Sequence, residues 1–189
     1  MGEEQPGSPA PGDVVRFTAL WGDYVGRVSA YACRHVDHHT AQEVVSETFM
    51  VAWRRLPEVP EKALPWLLGV ARNIVSNHRR GDRRRDALTE KVARMEHVAM
   101  STPGADIAVT DRAEVLEALA TLTSTEREAL LLTAWDGLSA TEAAHVMGCS
   151  VPAMHVRLFR ARRRLQTGPG TESVAPIPLR ATTEPRSIR

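Results

Sequence analysis

The chain has 189 residues, of which 43% are hydrophobic and 25% charged, and its formal net charge is +1. A chain of this length can hold one ordinary domain or two small ones, each with a modest core. Its apolar runs are too short for a membrane span and its acidic, Pro- and Gly-rich start is unlike a signal peptide, so we expect a cytoplasmic protein without membrane insertion.

Spacing of the hydrophobic residues is helical throughout, and no alternating pattern of β-branched residues occurs, so we expect an all-α fold. The first helix is predicted at residues 14–36, with Asp13 as its cap. The second is predicted at 41–56, where Thr40 and Glu43 have the spacing of a capping box.

Prolines divide the next segment. Pro57 and Pro60 are expected to end the second helix and to open a loop over 57–64, because proline lacks the N–H that a helix interior needs. Pro65 can then begin a third helix that ends near Gly81.

The second half repeats the signs of helix boundaries. Capping-box spacings occur at three pairs, Asp111 with Glu114, Thr123 with Glu126, and Ser139 with Glu142. Gly137 and Gly148 stand where the glycines that follow helix ends are expected. We therefore predict two small helical domains, at residues 14–85 and 112–166, joined by an acidic linker at 86–111 and flanked by disordered ends at 1–13 and 167–189.

Positive charge is concentrated in two places. Residues 79–85, RRGDRRR, carry five arginines against one aspartate, and residues 157–164, RLFRARRR, carry five more. The rest of the chain is therefore net acidic. Arginine suits paired contacts with phosphates and guanines, although a GC-rich genome would produce the same preference for arginine over lysine.

The helix predicted at 41–56 has two different faces. The face that we expect to be buried consists of Ala41, Val45, Phe49, Ala52, Trp53 and Leu56. The outward face carries Glu43, Glu47, Met50 and Arg54. Two glutamates one turn apart repel each other mildly in an isolated helix. A basic partner would relieve this repulsion, and an ordinary solvated face is the alternative interpretation.

The helix predicted at 65–80 also has a polar arc. We expect Trp66, Leu67, Val70, Ala71 and Ile74 to be buried, and Arg72, Asn73, Ser76, Asn77, Arg79 and Arg80 to lie on the arc. Amides beside arginines are typical of a surface that binds nucleic acid, single-stranded or duplex. With Trp66 inward there is no aromatic stacking platform, so these residues alone leave the kind of nucleic acid open.

Residues 139–165 have the pattern of a helix-turn-helix: a capped short helix, the turn GCS, and a second helix from Val151 with Ser150 as N-cap. Its inward face is Val151, Met154, Leu158, Ala161 and Leu165. The opposite face is Pro152, His155, Val156, Phe159, Arg160 and Arg163, flanked by Arg157, Arg162 and Arg164. Apolar residues among arginines suit a surface that reads base edges and thymine methyls. A basic helix on a protein or RNA surface is the alternative.

Metal and redox chemistry have little support. Cys33 and Cys149 are too few and too far apart for a disulfide scaffold or a zinc site. The segment HVDHH at 35–39 has irregular ligand spacing, so we interpret it as a polar loop between helices. We expect no metal, no cofactor and no catalytic residue.

Three segments together are similar to the extracytoplasmic-function group of sigma-70-type factors, over about 150 residues. TAQEVVSETFMVAWRRL (40–56) resembles the family's region 2.2, and PWLLGVARNIVSNHRR (65–80) resembles regions 2.3 and 2.4. LTSTEREALLLTAWDGLSATEAAHVMGCSVPAMHVRLFRARRRL (122–165) resembles region 4 almost throughout.

This resemblance implies a factor that binds core RNA polymerase, directs it to −35 and −10 promoter elements and assists promoter melting. The 41–56 helix would dock on the β′ clamp helices through Glu43, Glu47, Met50 and Arg54, and the polymerase β flap would be a further contact. The −10 element, duplex and single-stranded, would be bound by Trp66, Asn73, Asn77, Arg79, Arg80, Arg83 and Arg84, with an unpaired base held by the 57–64 loop. The −35 element would be bound by Ser150, Pro152, His155, Val156, Arg157, Phe159, Arg160 and Arg163.

The resemblance also implies that the acidic linker threads toward the polymerase interior, and two domains leave room for an anti-sigma factor. His155 and Val156 replace the family's common basic–Ser pair, so we expect an atypical −35 sequence. The alternative is a stand-alone helix-turn-helix regulator, which would need a receiver or ligand domain; residues 14–85 show no βα alternation for one. A metal-dependent hydrolase would need a second base motif.

Overall fold

The computed structural model describes residues 11–82 and 109–167, and these form seven α-helices and one 3-10 helix without a β-strand. The all-α prediction is therefore confirmed. The helices are α1 (Pro11–Cys33), α2 (His38–Arg54), the 3-10 helix (Leu56–Glu58), α3 (Ala63–Asp82), α4 (Val109–Ala120), α5 (Ser124–Ala134), α6 (Ala140–Met147) and α7 (Val151–Thr167). Predictions for most of the linker and for most of both chain ends, at 1–10 and 168–189, lie outside the described residues.

Two predicted helix starts are wrong. Helix α1 begins at Pro11, so Asp13 lies in its first turn instead of capping it. Proline is tolerated there because the first-turn N–H groups have no partner within the helix. Helix α4 begins at Val109, so the predicted cap, Asp111, lies inside its first turn.

The predicted capping box of α2 is also wrong. The N-cap is Asp37, whose carboxylate accepts hydrogen bonds from the backbone N–H of Thr40 at 3.1 Å and from the Thr40 hydroxyl at 2.7 Å. Thr40 therefore donates hydrogen bonds to the N-cap residue and is not itself the N-cap. These bonds lower the pKa of Asp37, the Thr40 hydroxyl first, against a smaller effect of burial.

Two of the predicted capping boxes are confirmed. Thr123 and Glu126 exchange both hydrogen bonds at the start of α5, and Ser139 and Glu142 do so at the start of α6. Helix α6 ends at Gly148 in the left-handed conformation, at φ +60°. A side chain there would meet no atom within 4 Å but would strain the backbone, which explains glycine in the turn.

Helices α1, α2 and α3 pack against one another and form the first unit. Its largest fully buried side chains are Tyr31, Phe49, Leu67, Leu68, Val28, Val44 and Thr48. The buried Thr48 hydroxyl donates a hydrogen bond to the carbonyl of Val44 at 2.6 Å, so this hydroxyl has a hydrogen-bond partner in the core. Arg16 ties the loop after the 3-10 helix to α1 by donating to the Val59 carbonyl at 2.7 Å.

Helices α4 to α7 form the second unit. The three helices α5, α6 and α7 pack pairwise around Leu132, Met154 and Leu158. A smaller cluster joins the end of α4 to α5 and α7. Helix α6 also packs on α3, and the buried apolar residues of the two units form one continuous cluster. Among the described residues, no helix has the length and apolar character to cross a bilayer.

Candidate functional site

The outward face of α2, here called the docking face, consists of Glu43, Glu47, Met50 and Arg54. All four side chains are exposed, and Met50 is 51% exposed. The burial of Val44, Val45 and Phe49 on the other side of α2 fixes this orientation. The structure therefore presents an exposed surface that combines two carboxylates with one thioether and one guanidinium.

Histidines lie beside both glutamates of the docking face. His39 Nδ1 is 3.6 Å from Glu43 Oε1, and His78 Nε2, from α3, is 3.5 Å from Glu47 Oε1. Glu43 and Glu47 line a shallow depression with their neighbours on α2. The side chains of Glu43 and Glu47 remain 48% and 52% exposed beside these histidines, so a basic partner can reach both carboxylates.

Trp53 was expected in the core, and that expectation is wrong. It is 36% exposed and stands at the edge of the contact between α1 and α2, where Phe17 covers one side of it at a ring-centroid distance of 5.0 Å. Trp21 of α1 is 41% exposed and packs on Phe49 at 4.5 Å. Val44 and Thr48, which were not expected on the buried face of α2, are fully buried.

The polar face of α3 is divided between solvent and structural bonds. Asn73, Asn77 and Arg80 are exposed, and Arg80 donates a hydrogen bond to the Asn77 Oδ1. Arg79 is partly buried and donates two hydrogen bonds to the carbonyl of His35, at 2.7 and 3.2 Å, so it joins α3 to the end of α1.

Trp66, at the start of α3, was expected inward and is half-buried. The Arg55 guanidinium lies over its ring at 5.8 Å from the centroid, within the range of a cation–π contact. Arg83 and Arg84 lie outside the described residues.

Helix α7 has the two faces that its sequence predicted. Met154, Leu158 and Ala161 are buried, while Val151 and Leu165 at the two ends are half-buried. The Ser150 hydroxyl, itself exposed, accepts the Ala153 N–H at 3.3 Å and begins the helix. The face turned to solvent, here called the recognition face, consists of Pro152, His155, Val156, Phe159, Arg160 and Arg163.

Large apolar groups remain uncovered on the recognition face. Val156 is 47% exposed and Phe159 is 65% exposed. Arg157 is half-buried at the side of this face. Apolar side chains in solvent cost free energy that contact with a partner would recover, so this face has the character of a binding surface.

One arginine of α7 forms an ion pair with a carboxylate of α5. Arg164 Nη1 lies 3.0 Å from the carboxylate of Glu126, which is 5% exposed. The hydrogen bond from the Thr123 hydroxyl, then the charges of Arg164 and Arg160, lower the pKa of Glu126 despite burial. The carboxylate stays ionised and helps to fix α7 against α5.

The two units meet through charged groups that sequence reasoning missed. The Arg34 guanidinium donates to the Asp136 carboxylate at 2.5 Å, with both side chains 3% exposed. Arg27 donates to the Asp136 main-chain carbonyl at 2.5 Å.

Glu128 of α5 makes a second contact between the units. Its carboxylate accepts the Tyr31 hydroxyl at 2.9 Å and Arg72 Nε at 2.8 Å. Burial first, and then the charge of Glu128, raise the pKa of Tyr31 well above 10.0. These partners are 56 or more residues apart along the chain, so no local spacing could have revealed them.

A histidine lies next to this contact. The His35 ring packs on the Tyr31 ring at a centroid distance of 4.4 Å with the two planes tilted by 53°, and burial lowers the pKa of His35 well below its usual value of 6.5. The positive charges of Arg79 and Arg34 act in the same direction. The imidazole is therefore neutral near neutral pH.

Comparisons with known proteins give matches in both units of the chain. Residues 20–85 match the family model of sigma-70 region 2, and residues 112–165 match that of sigma-70 region 4. The chain is 39% identical over 155 residues to the ECF RNA polymerase sigma factor SigC of Mycobacterium tuberculosis, an alignment that covers 81% of this chain and 75% of that protein.

Two solved structures are similar to the chain. One is the sigma factor RpoE from Bartonella quintana in complex with the anti-sigma factor NepR, with a TM-score of 0.60, 26% identity, and coverage of 79% of this chain and 94% of that one. The other is CnrH in complex with the cytosolic domain of CnrY, with a TM-score of 0.52, 28% identity, and coverage of 79% and 84%.

Proposed function

Because this chain belongs to the extracytoplasmic-function family of sigma-70-type RNA polymerase sigma factors, we propose that it divides the work of that family among three surfaces. As a sigma factor it binds core RNA polymerase, directs it to −35 and −10 promoter elements and assists promoter melting. The recognition face of α7 is the observation that carries the assignment of surfaces. It leaves large apolar side chains uncovered among arginines, a combination that suits contact with thymine methyls and base edges.

The recognition face enters the major groove of the −35 element. Val156 and Phe159 contact base edges and thymine methyls, and Arg160 makes a paired contact with a guanine. Arg157 and Arg163 bind phosphates at the rim and fix the register. Ser150, Pro152 and His155 lie at the N-terminal end of α7, the end that points toward the bases in helix-turn-helix proteins.

The α3 polar face binds the −10 element. Asn73, Asn77 and Arg80 can reach bases and backbone because their side chains are exposed, and the bond between Arg80 and Asn77 lies at the surface. Arg79 contributes by holding α3 to α1 and by its positive charge, since its guanidinium already binds the His35 carbonyl. Trp66 and the loop before it receive an unpaired base, whose unstacking costs a few kcal/mol. Arg83 and Arg84 extend the basic charge, on the grounds of sequence alone.

The docking face of α2 binds the clamp helices of the polymerase β′ subunit, and the second unit contacts the β flap. Glu43 and Glu47 supply negative charge to a basic partner, while Met50 adds an adaptable apolar contact. We assign residues 14–85 to region 2, 86–111 to the linker and 112–166 to region 4.

Three finer points belong to the same proposal. The protein acts in the cytoplasm, where its polymerase is. It has no catalytic activity of its own, since it supplies binding surfaces to the polymerase. The similar sigma factor RpoE was solved in complex with the anti-sigma factor NepR, and we propose that this chain also has an anti-sigma partner. A stand-alone regulator is not favoured, because the chain matches the region 2 model as well as the region 4 model.

Run-off transcription tests the proposed function. Core polymerase with the purified chain is expected to give transcripts of defined length from a promoter found by mapping transcript starts after induced expression. A protein that shifts promoter DNA by itself but initiates nothing with core polymerase would point to the regulator instead.

Two carboxylate changes test the docking face. The double variant E43Q/E47Q is expected to bind core polymerase at least about tenfold more weakly, with a shallower dependence on salt, because it removes charges that steer and hold a basic partner. Glu117→Gln changes an exposed carboxylate on α4 and serves as the control. Equal core affinity of the double variant and the control would remove the docking face from the proposal.

A further inference from the structure

Aromatic side chains line one edge of the contact between α1 and α2. The Phe17 ring packs on the rings of both Trp21 and Trp53, at centroid distances of 6.5 and 5.0 Å. Trp21 and Trp53 are 41% and 36% exposed. These three residues are here called the aromatic ridge. Contact with a partner would recover the free energy that exposed indole rings cost, so the ridge has the character of a binding surface.

The aromatic ridge continues into the docking face along α2. Trp53 lies three residues after Met50, and Met50 three residues after Glu47, so successive side chains are neighbours on the helix surface. Met50 and the Glu47 carboxylate are both exposed. From Trp53 to Glu47 the distance along the helix axis is about 9 Å. A complementary ligand therefore carries an apolar group and a positive charge at about this separation.

Residues 174–180, VAPIPLR, carry that pattern in the part of the chain that follows α7. Pro176 and Pro178 favour the polyproline II conformation, because the proline ring fixes φ near the value that this conformation needs. With about three residues per turn and a rise of about 3.1 Å, Ile177 and Arg180 would then share one side of the segment, about 9 Å apart. Grooves lined by aromatic side chains bind proline-rich segments of this kind.

Charge distinguishes this segment from the start of the chain. Residues 1–10, MGEEQPGSPA, contain two glutamates and neither lysine nor arginine. They would place negative charge against Glu43 and Glu47, which disfavours binding there. Residues 174–180 contain one arginine and no acidic residue, so their charge is opposite to that of the two glutamates.

We propose that residues 174–180 bind along α2 in the free chain, with Ile177 on the aromatic ridge and Arg180 at Glu47. A guanidinium and a carboxylate form a charge-assisted hydrogen bond in this arrangement. The bound segment covers Met50 and Glu47 of the docking face, so core polymerase must displace it. This inference rests on the proposed function only in naming core polymerase as the competitor.

The chain after α7 is long enough for this contact within one molecule. Residues 168–177 can span about 35 Å when extended. A compact body of about 130 residues has a radius of gyration of about 14 Å, hence a diameter of about 36 Å. The connecting chain is therefore about as long as the molecule is wide.

Tryptophan fluorescence tests the binding of the segment, because residues 172–182 contain no tryptophan. The full chain with I177D/R180E, whose own segment is disabled, is titrated with a peptide of residues 172–182. The wild-type peptide is expected to change the fluorescence with a Kd of about 0.1 mM. That value corresponds to a covered form about ten times as abundant as the uncovered one, at an effective concentration of about 1 mM. No change with this peptide, or an equal change with a peptide that carries both substitutions, overturns the proposal.

Acrylamide quenching distinguishes binding within one molecule from binding between two. The tryptophans of the wild type are expected to be quenched less than those of I177D/R180E at every protein concentration. A difference that appears only at high protein concentration would assign the segment to a second copy of the chain and overturn binding within one molecule.

A charge exchange tests the pairing of Arg180 with Glu47. The peptide with Arg180→Glu is expected to bind the full chain with E47R/I177D/R180E about fivefold more tightly than the full chain with I177D/R180E, because the first pair attracts and the second repels. Equal Kd values for the two chains would overturn the placement of Arg180.

Competition with core polymerase tests what the segment covers. With the covered form in about tenfold excess, I177D/R180E is expected to bind core polymerase about tenfold more tightly than the wild type. The matched control I188D/R189E makes the same two changes outside the segment and is expected to keep the wild-type affinity. Equal affinities of I177D/R180E and the control overturn the claim that the segment covers the docking face. Absence of run-off transcription with the wild type would instead refute the proposed function and leave the peptide titration standing.

Discussion

Phe159 offers the sharpest test of the recognition face, because it contributes little to folding and is placed to contribute to DNA binding. It is 65% exposed. A phenylalanine that buries about 200 Å² when covered would then present about 130 Å² to DNA. At about 25 cal/mol per Å², full coverage is worth about 3 kcal/mol, and coverage of half that area about 1.5 kcal/mol.

Phe159→Ala is therefore expected to raise the Kd of the holoenzyme for promoter DNA by about tenfold, with about 150-fold as the upper limit. The free energy of unfolding is expected to change by less than about 0.5 kcal/mol, since the side chain is mostly in solvent. Fluorescence anisotropy with labelled promoter duplex measures the Kd, and urea denaturation measures the stability.

Met154→Ala is the contrasting change on the same helix. Met154 is fully buried, and its truncation is expected to cost about 2–5 kcal/mol of stability in the second unit. The reasoning is refuted if Phe159→Ala leaves the Kd unchanged, or if it destabilises the protein as much as Met154→Ala does.

Two further predictions concern stability. Ser139→Ala removes the hydroxyl that accepts the Glu142 N–H at 3.2 Å, and it is expected to destabilise the second unit by about 1 kcal/mol; thermal unfolding measures this, with the exposed Thr141→Ala on the same helix as the control. For His35, the folded protein keeps the imidazole neutral while the unfolded chain takes up a proton below its pKa of about 6.5. Its contribution to stability is therefore present above that pH and is lost as the pH falls toward the folded pKa, by up to about 1.4 kcal/mol per pH unit. Urea denaturation between pH 7 and pH 5 is expected to show a smaller loss for His35→Asn than for the wild type, and equal losses would contradict this account.

Local signals in the sequence predicted much of the fold. The capping boxes at Thr123 and Ser139 and the glycine at 148 were predictable because each depends on residues within one helix turn. The start of α2 was placed wrongly because Asp37 and Thr40 are both good caps, and spacing alone does not say which carries the better acceptor. Trp53 was misplaced because helical periodicity gives the direction of a side chain without saying how far the neighbouring helix extends over it.

The surfaces on single helices were also predictable, because one helix face needs only periodicity. The contact between Arg34 and Asp136 was not predictable, since its partners are 102 residues apart and lie in different units. The same limit applies to Arg79, whose hydrogen bonds to the His35 carbonyl depend on where α1 ends.

The left-handed turn at Gly148 has a consequence for how this protein diversifies. The turn between α6 and α7 contains one left-handed backbone position, Gly148, with open space around it, and the buried face of α7 packs on its neighbours, so the exposed residues of α7 can be exchanged without disturbing how that helix is presented. A lineage can therefore acquire a new target sequence by altering side chains such as His155 and Val156 while its scaffold is inherited intact. Replacement of Gly148 would change the orientation of α7 and so move all of its exposed residues at once.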